Sequence, residues 1–135
     1  MFRSMGLGVL VALLSFATTA QQAPSPPGPI VTPVMSKDLS DLPGKEALML
    51  SVEYPPGGAD PVHRHDAHGF IYVLEGSVVM GVKGGREVTL GPGEMFHEKP
   101  DDIHTVGRNA SATKPAKFLV FFVKDKGAPS TVPAN

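Results

Sequence analysis

Glycine and proline punctuate this chain so closely that mainly short strands fit between them, with 15 glycines and 14 prolines in 135 residues. Both residue types cost helices dearly, and both mark turns. Ala47–Tyr54 reads as a strand that stops at Pro55-Pro56-Gly57-Gly58, and Val62–His65 reads as a short one. Phe70–Leu74 is rich in strand formers and ends at Glu75-Gly76. Ser77–Val82 and Glu87–Leu90 form a hairpin around Lys83-Gly84-Gly85-Arg86, and Gly91-Pro92-Gly93 makes a second tight turn. Glu94–Glu98 and Ile103–Val106 flank a turn at Pro100-Asp101-Asp102, and Lys117–Val123 is the last strong strand, expected at the centre of a sheet. No stretch carries a helical period and there is no internal repeat. The pattern is all-β, a sandwich or a barrel.

Three histidines dominate the chemistry. His63 and His65 stand at i and i+2 on a strand, so their side chains share one face. Arg64 between them must point the other way. His104 follows about forty residues later and joins the pair only if a sheet folds back over it. Neutral imidazoles suit iron, copper, nickel and zinc.

The framing of these histidines resembles the two signature motifs of the cupin superfamily. The first motif reads here as Gly57, five residues, His63-Arg64-His65, three residues, Gly69, six residues, Gly76. The second reads as Gly93, Pro100, His104 and Asn109, with Pro100 and Asn109 each one place later than usual and Asp101 where a glycine is common. The resemblance spans roughly residues 45–125. It implies a double-stranded β-helix, the jelly-roll barrel, with one divalent metal ion (Fe, Mn, Zn, Ni or Cu) held by His63, His65 and His104. Inward side chains of such a barrel are expected to be Met49, Ile71, Val73, Met80, Phe96, Phe118, Val120 and Phe122. Tyr54 and Tyr72 offer hydroxyls near the pocket, whereas Glu53, Asp60, Asp66, Asp101 and Asp102 look like solvated turn charges.

Gly69 departs from the family pattern, because that position usually carries a metal-binding glutamate. One consequence is a neutral three-histidine site, as in cupin dioxygenases of the thiol-oxidising and diketone-cleaving types. Another is a vestigial site. Glu98 lies in the strand leading to His104, at a position that usually faces the barrel interior. A carboxylate there is costly unless paired or bound to metal. Glu98 is therefore a replacement ligand, an acceptor for a ligand imidazole, a general base, or else a strand-end glutamate turned to solvent. His68 is a lesser candidate for fourth ligand, since it is one residue out of phase and needs a distorted strand. His97 is expected on the surface. The function that follows is a metal-dependent dioxygenase or related small-molecule enzyme, or alternatively a non-catalytic module that binds or senses a small ligand through the same metal.

The ends of the chain read differently. Residues 1–20 have a short positive start, an apolar run from Met5 to Ala17 and small residues before Gln21, as a secretory signal peptide does. The run is shorter than the ~20 residues that span a bilayer, and no cysteine follows it to carry a lipid. The mature protein is thus expected to be exported, periplasmic or secreted, with no stable membrane anchor. Residues 21–34 form a proline-rich tether expected to be mobile, 35–126 the barrel with an N-terminal lead-in, and 127–135 a flexible tail. Removing residues 1–20 takes away Arg3 and no acid, leaving 11 basic and 13 acidic side chains. That balance, without a basic cluster, does not favour nucleic acid. The expected partners are a small molecule and a second copy of the chain. Leu39 and Leu42 of the lead-in either cross to that copy or fold back on their own barrel.

Overall fold

The computed structural model describes residues 21–135, so the signal-peptide reading of residues 1–20 lies outside the described residues. Ten strands form two five-stranded sheets. The first runs in the order β1 (Ile30–Asp38), β2 (Lys45–Tyr54), β9 (Ala116–Asp125), β4 (His68–Glu75) and β7 (Met95–Glu98). The second runs β10 (Val132–Pro133), β3 (His63–Arg64), β8 (His104–Asn109), β5 (Val78–Val82) and β6 (Val88–Leu90). All the strand pairs are antiparallel, and strands distant in sequence lie side by side, which makes the double-stranded β-helix. Among the described residues there is no helix, and none long and apolar enough to cross a membrane.

The core follows from alternation. Ala116, Phe118, Val120, Phe122 and Lys124 of β9 turn inward and are buried, while the residues between them are half-buried on the outer face. In β2 the inward set is Leu50, Val52 and Tyr54. Met49 therefore does not face the interior as its apolar character suggests; it pairs with Phe121 and Met35 on the outer face. Both faces of β2 are apolar enough that composition leaves its phase open. Ile71, Val73, Met80, Phe118, Val120 and Phe122 are buried as expected, and Phe96 packs on the same cluster half-buried. Each full burial of a large apolar side chain contributes about 1.5–3 kcal/mol.

The second sheet and the turns are held at specific points. Asn109, buried at the end of β8, donates to the carbonyls of Tyr54, Pro55 and Lys114, and its Oδ1 accepts from the Ser111 amide. Its role is to tie the end of β2 to the loop before β9. Gly76 turns β4 into β5 at φ 70°, and a Cβ there would lie 2.6 Å from the Pro115 carbonyl oxygen, so only glycine fits.

The two ends differ from expectation. The stretch read as a mobile tether is already β1 from Ile30, and the Pro27 carbonyl accepts from the Ala59 amide at 3.0 Å. Without β1 the outer edge of β2 would expose a row of unpaired backbone groups. Pro33 masked this strand, but proline is tolerated on an edge, and the register shifts between Pro33 and Met35. The lead-in thus folds back on its own barrel, with Leu39 half-buried and Leu42 exposed. The tail is paired as well. It turns at Gly127, receives Lys124 Nζ on the Ala128 carbonyl at 2.6 Å, and pairs as β10 with β3.

Candidate metal centre

The register of three strands assembles the site. His63 of β3 stands directly opposite His104 of β8, and His65 follows on the same face as His63. All three imidazoles are buried, at 5%, 9% and 4% exposure, while Arg64 points out and pairs with Asp66. His63 Nε2 lies 3.1 Å from His65 Nε2 and 3.3 Å from His104 Nδ1. The facing nitrogens of the three rings all lie within 4.8 Å of one another. One ion bound at ~2.0–2.2 Å to each nitrogen bridges such a cluster after a small inward movement.

Glu98 completes the cluster from β7. Its Oε1 is 2.7 Å from His104 Nδ1 and its Oε2 is 2.9 Å from His65 Nε2, with the side chain only 1% exposed. These contacts are short but misdirected: neither carboxylate oxygen receives a well-aligned hydrogen bond, and His104 Nε2 is also buried without a partner. The Nδ1 atoms of His63 and His65 donate to the carbonyls of Pro61 at 2.8 Å and Ser130 at 2.7 Å. That assigns the N–H to Nδ1 and leaves both Nε2 atoms as lone pairs. Lone pairs and carboxylate oxygens therefore converge at close range, and His104 Nδ1 is the one facing nitrogen left to donate, toward His63 Nε2 at 3.3 Å. A cation relieves that repulsion, so the residues present fit a divalent ion.

Protonation shows the same pull. Burial resists ionisation of Glu98, but His104 and His65 beside it outweigh burial and hold its carboxyl down at about 2. Burial likewise disfavours a charged His65, yet the neighbouring Glu98 carboxylate raises its pKa. His63 is lowered, first by burial and further by His65 and His104.

Gly69 explains how Glu98 finds room. The two residues are paired across β4 and β7, and a Cβ on Gly69 would lie 3.4 Å from Glu98 Oε2 and 3.0 Å from Phe122 Cε1. The Glu98 carboxylate reaches toward the space in front of position 69. Both its oxygens face imidazoles and the side chain is buried, so Glu98 is not turned to solvent; a fourth ligand and an acceptor for a ligand imidazole both fit this geometry. His68 is not in the cluster. It is exposed on the outer face of β4, where its Nδ1 lies 3.1 Å from Nε2 of the equally exposed His97, because β4 stays regular and turns it outward. Tyr72 is exposed on the same face.

In front of the cluster lies a cavity of about 500 Å³. Leu50, Val52, Ile71, Phe118, Val120 and Phe122 form apolar walls, and Pro29, Val31, Ser130 and Thr131 also line it. Two residues of this site were not legible in the sequence. Ser130 lies in the tail, and nothing local marks its carbonyl as the partner of His65. Asp60 resembles the turn acids Asp66 and Asp101, yet it lines the cavity, and its Oδ2 accepts from the hydroxyl of the fully buried Tyr54 at 2.5 Å. Burial, and then the Asp60 charge, push the Tyr54 phenol well above its usual range. Gly107 permits this, since a Cβ there would lie 2.8 Å from the Tyr54 hydroxyl, 3.0 Å from Asp60 Oδ2 and 3.1 Å from His104 Cε1. Tyr54 thus points its hydroxyl at the site, though as Asp60's donor.

A double-stranded β-helix with three histidines and a carboxylate gathered beside an internal cavity has the architecture of the cupins. The cupin domain family matches residues 50–122, more than half of the chain, and the chain belongs to that family. Among solved structures, TT1209 from Thermus thermophilus is 30% identical over 70% of this chain and 82% of its own, with a TM-score of 0.57. An oxalate oxidase in complex with the substrate analogue glycolate is 26% identical over 85% of this chain, with a TM-score of 0.60. The DMSP lyase DddQ from Ruegeria pomeroyi DSS-3 shares the fold, at 24% identity over 65% of this chain and a TM-score of 0.58. The chain spans 59% of the length of that oxidase and 43% of that of the lyase. No curated protein matches the sequence.

Proposed function

We propose that His63, His65, His104 and Glu98 hold one divalent metal ion, and that the cavity in front of it binds a small oxygen-bearing molecule for metal-dependent oxidoreductase chemistry of the cupin dioxygenase type. The convergence of Glu98 on two of the three imidazoles carries this reading. A hard anionic oxygen added to three imidazoles would suit manganese or iron. The bound ion supplies Lewis acidity and, if iron or manganese, one-electron chemistry. The chain's own residues do the rest: Pro61 and Ser130 orient His63 and His65, and the apolar walls keep bulk water from the ligand. The similar oxalate oxidase, solved in complex with the substrate analogue glycolate, supports a small hydroxyl-bearing ligand.

The test is elemental analysis of the purified protein, followed by oxygen uptake against a panel of small keto and phenolic acids together with their uncharged ester and alcohol counterparts. About one equivalent of metal, lost in His63→Ala and His104→Ala, supports the centre. Full occupancy in the double variant places the metal elsewhere. A second reading, a module that binds or senses a ligand without turnover, is favoured by both Glu98 oxygens facing imidazoles, which leaves neither aimed at the cavity as a base. Oxygen uptake at no rate above buffer, with ligand still bound, selects it.

Export and pairing complete the proposal. Cleavage between Ala20 and Gln21 gives a mature chain whose mass is measurable. Phe70, Tyr72, Leu74 and Met95 form an exposed apolar row on the outer face of β4 and around β7, which a second copy would cover in a homodimer. Light scattering at micromolar concentration reads the mass, and a monomer throughout rules the dimer out.

A further inference from the structure

The charge around the cavity narrows its ligand. Of the residues lining it, none is lysine or arginine. The acids are Asp60 and Glu98, and the remaining titratable groups are His63, His65 and His104. A divalent ion on three neutral imidazoles is cancelled by these two carboxylates, so the assembled site carries no net charge. Arg64 points out toward Asp66, and Arg108, beside Glu87, lines a second, shallow recess that shares Asp60 with the cavity, and is not itself among the residues lining the cavity. No cation therefore faces a ligand other than the metal itself.

Hydrogen-bond donors are equally scarce. The N–H groups of His63 and His65 are committed to Pro61 and Ser130, and the Tyr54 hydroxyl is committed to Asp60. His104 Nε2 is buried from solvent. Only the neutral Ser130 and Thr131 remain among the polar lining. An acceptor, in contrast, is available: Asp60 Oδ2 receives Tyr54, while Oδ1 takes no hydrogen bond among the described residues. A second carboxylate on a ligand would lie against Leu50, Val52, Ile71, Phe118 and Val120 with nothing to pair with.

We infer that the ligand of this cavity carries no net negative charge, is apolar over most of its surface, and presents a hydroxyl to Asp60. This deepens the proposed metal centre and rests on it for the ion, whereas the preference for an uncharged ligand holds with or without metal. Removing the ion leaves the two carboxylates uncompensated, so anions are rejected more strongly still.

Benzyl alcohol and benzoate test it, being matched in shape but not in charge. Calorimetric titration of the full chain, metal-loaded and metal-stripped, reads both. Benzyl alcohol is expected to bind at least tenfold more tightly than benzoate in the loaded protein, with a wider gap after stripping. Asp60→Asn keeps an acceptor for Tyr54 and removes the charge, and is expected to narrow the gap several-fold. Benzoate binding as tightly as the alcohol to the unaltered protein overturns the inference, and so does binding of neither. Elemental analysis of the same sample reads the metal centre separately: a chain without metal that still prefers the alcohol fails the centre and keeps the ligand class.

Discussion

Gly69 and Glu98 face each other across β4 and β7, and the Glu98 carboxylate lies toward the space where the cupin motif usually carries one. Paired residues on adjacent strands share a face, which is what brings it there. Glu98 thereby contacts His65 and His104 at 2.9 and 2.7 Å without any change in the histidine frame.

Glu98→Gln keeps the shape and removes the charge. Metal affinity is expected to fall about tenfold or more with the fold intact, read by competition with a chelator and by circular dichroism. The exchange Gly69→Glu with Glu98→Gly returns the carboxylate to the neighbouring strand. It needs Phe122→Leu as well, because Phe122 Cε1 stands 3.0 Å from a Cβ at position 69. Recovery of affinity in the triple variant shows that the carboxylate matters and its strand does not; unchanged affinity in Glu98→Gln refutes the ligand role.

Ending the chain at Lys126 removes the Ser130 carbonyl from His65 and unpairs β3 from β10. The barrel is expected to remain folded while metal affinity drops roughly 10- to 100-fold, the range for losing an outer partner of a ligand histidine. Equal affinity in the truncated and full chains would show that the tail is only covering.

Phe122 is 1% exposed and its ring centroid lies 4.7 Å from that of His65. Phe122→Ala is expected to cost about 3–5 kcal/mol of stability by leaving a cavity. Denaturant unfolding measures it, and a loss below ~1 kcal/mol would mean that the surrounding wall collapses to fill the space.

Lys124 is buried at 4% exposure on the inward face of β9 and bonds Glu46 at 2.5 Å. That hydrogen bond, against the opposing effect of burial, holds the Glu46 carboxyl below its ordinary value. A lowered carboxyl pKa contributes stability above the unfolded pKa and loses it as pH falls through the folded one. Glu46→Gln is therefore expected to lower the melting temperature at neutral pH and to lose less on acidification than the parent. Parallel curves for the two proteins across the acid range would remove the pair from the acid sensitivity.

Much of the fold was written locally. Turn residues such as Gly76 and Gly91-Pro92-Gly93 bound the strands, and alternation placed His63 and His65 on one face with Arg64 on the other. These are properties of neighbours in sequence, set by backbone sterics and the two-residue period of a strand. His104 was legible through its motif frame, and Glu98 was legible as a carboxylate in an inward phase, though its role stayed open. Register decided the rest. Glu98 became a candidate ligand only because β7 pairs with β4 at Gly69, and Asp60 left the turn acids only because Gly107 lets Tyr54 reach it. Ser130 meets His65 across 65 residues of chain. Met49 faces outward, and Ile30–Asp38 pairs with the edge of β2 despite Pro33. Such contacts depend on which strand lies beside which, and a sum of weak long-range packing terms sets that order rather than any local preference.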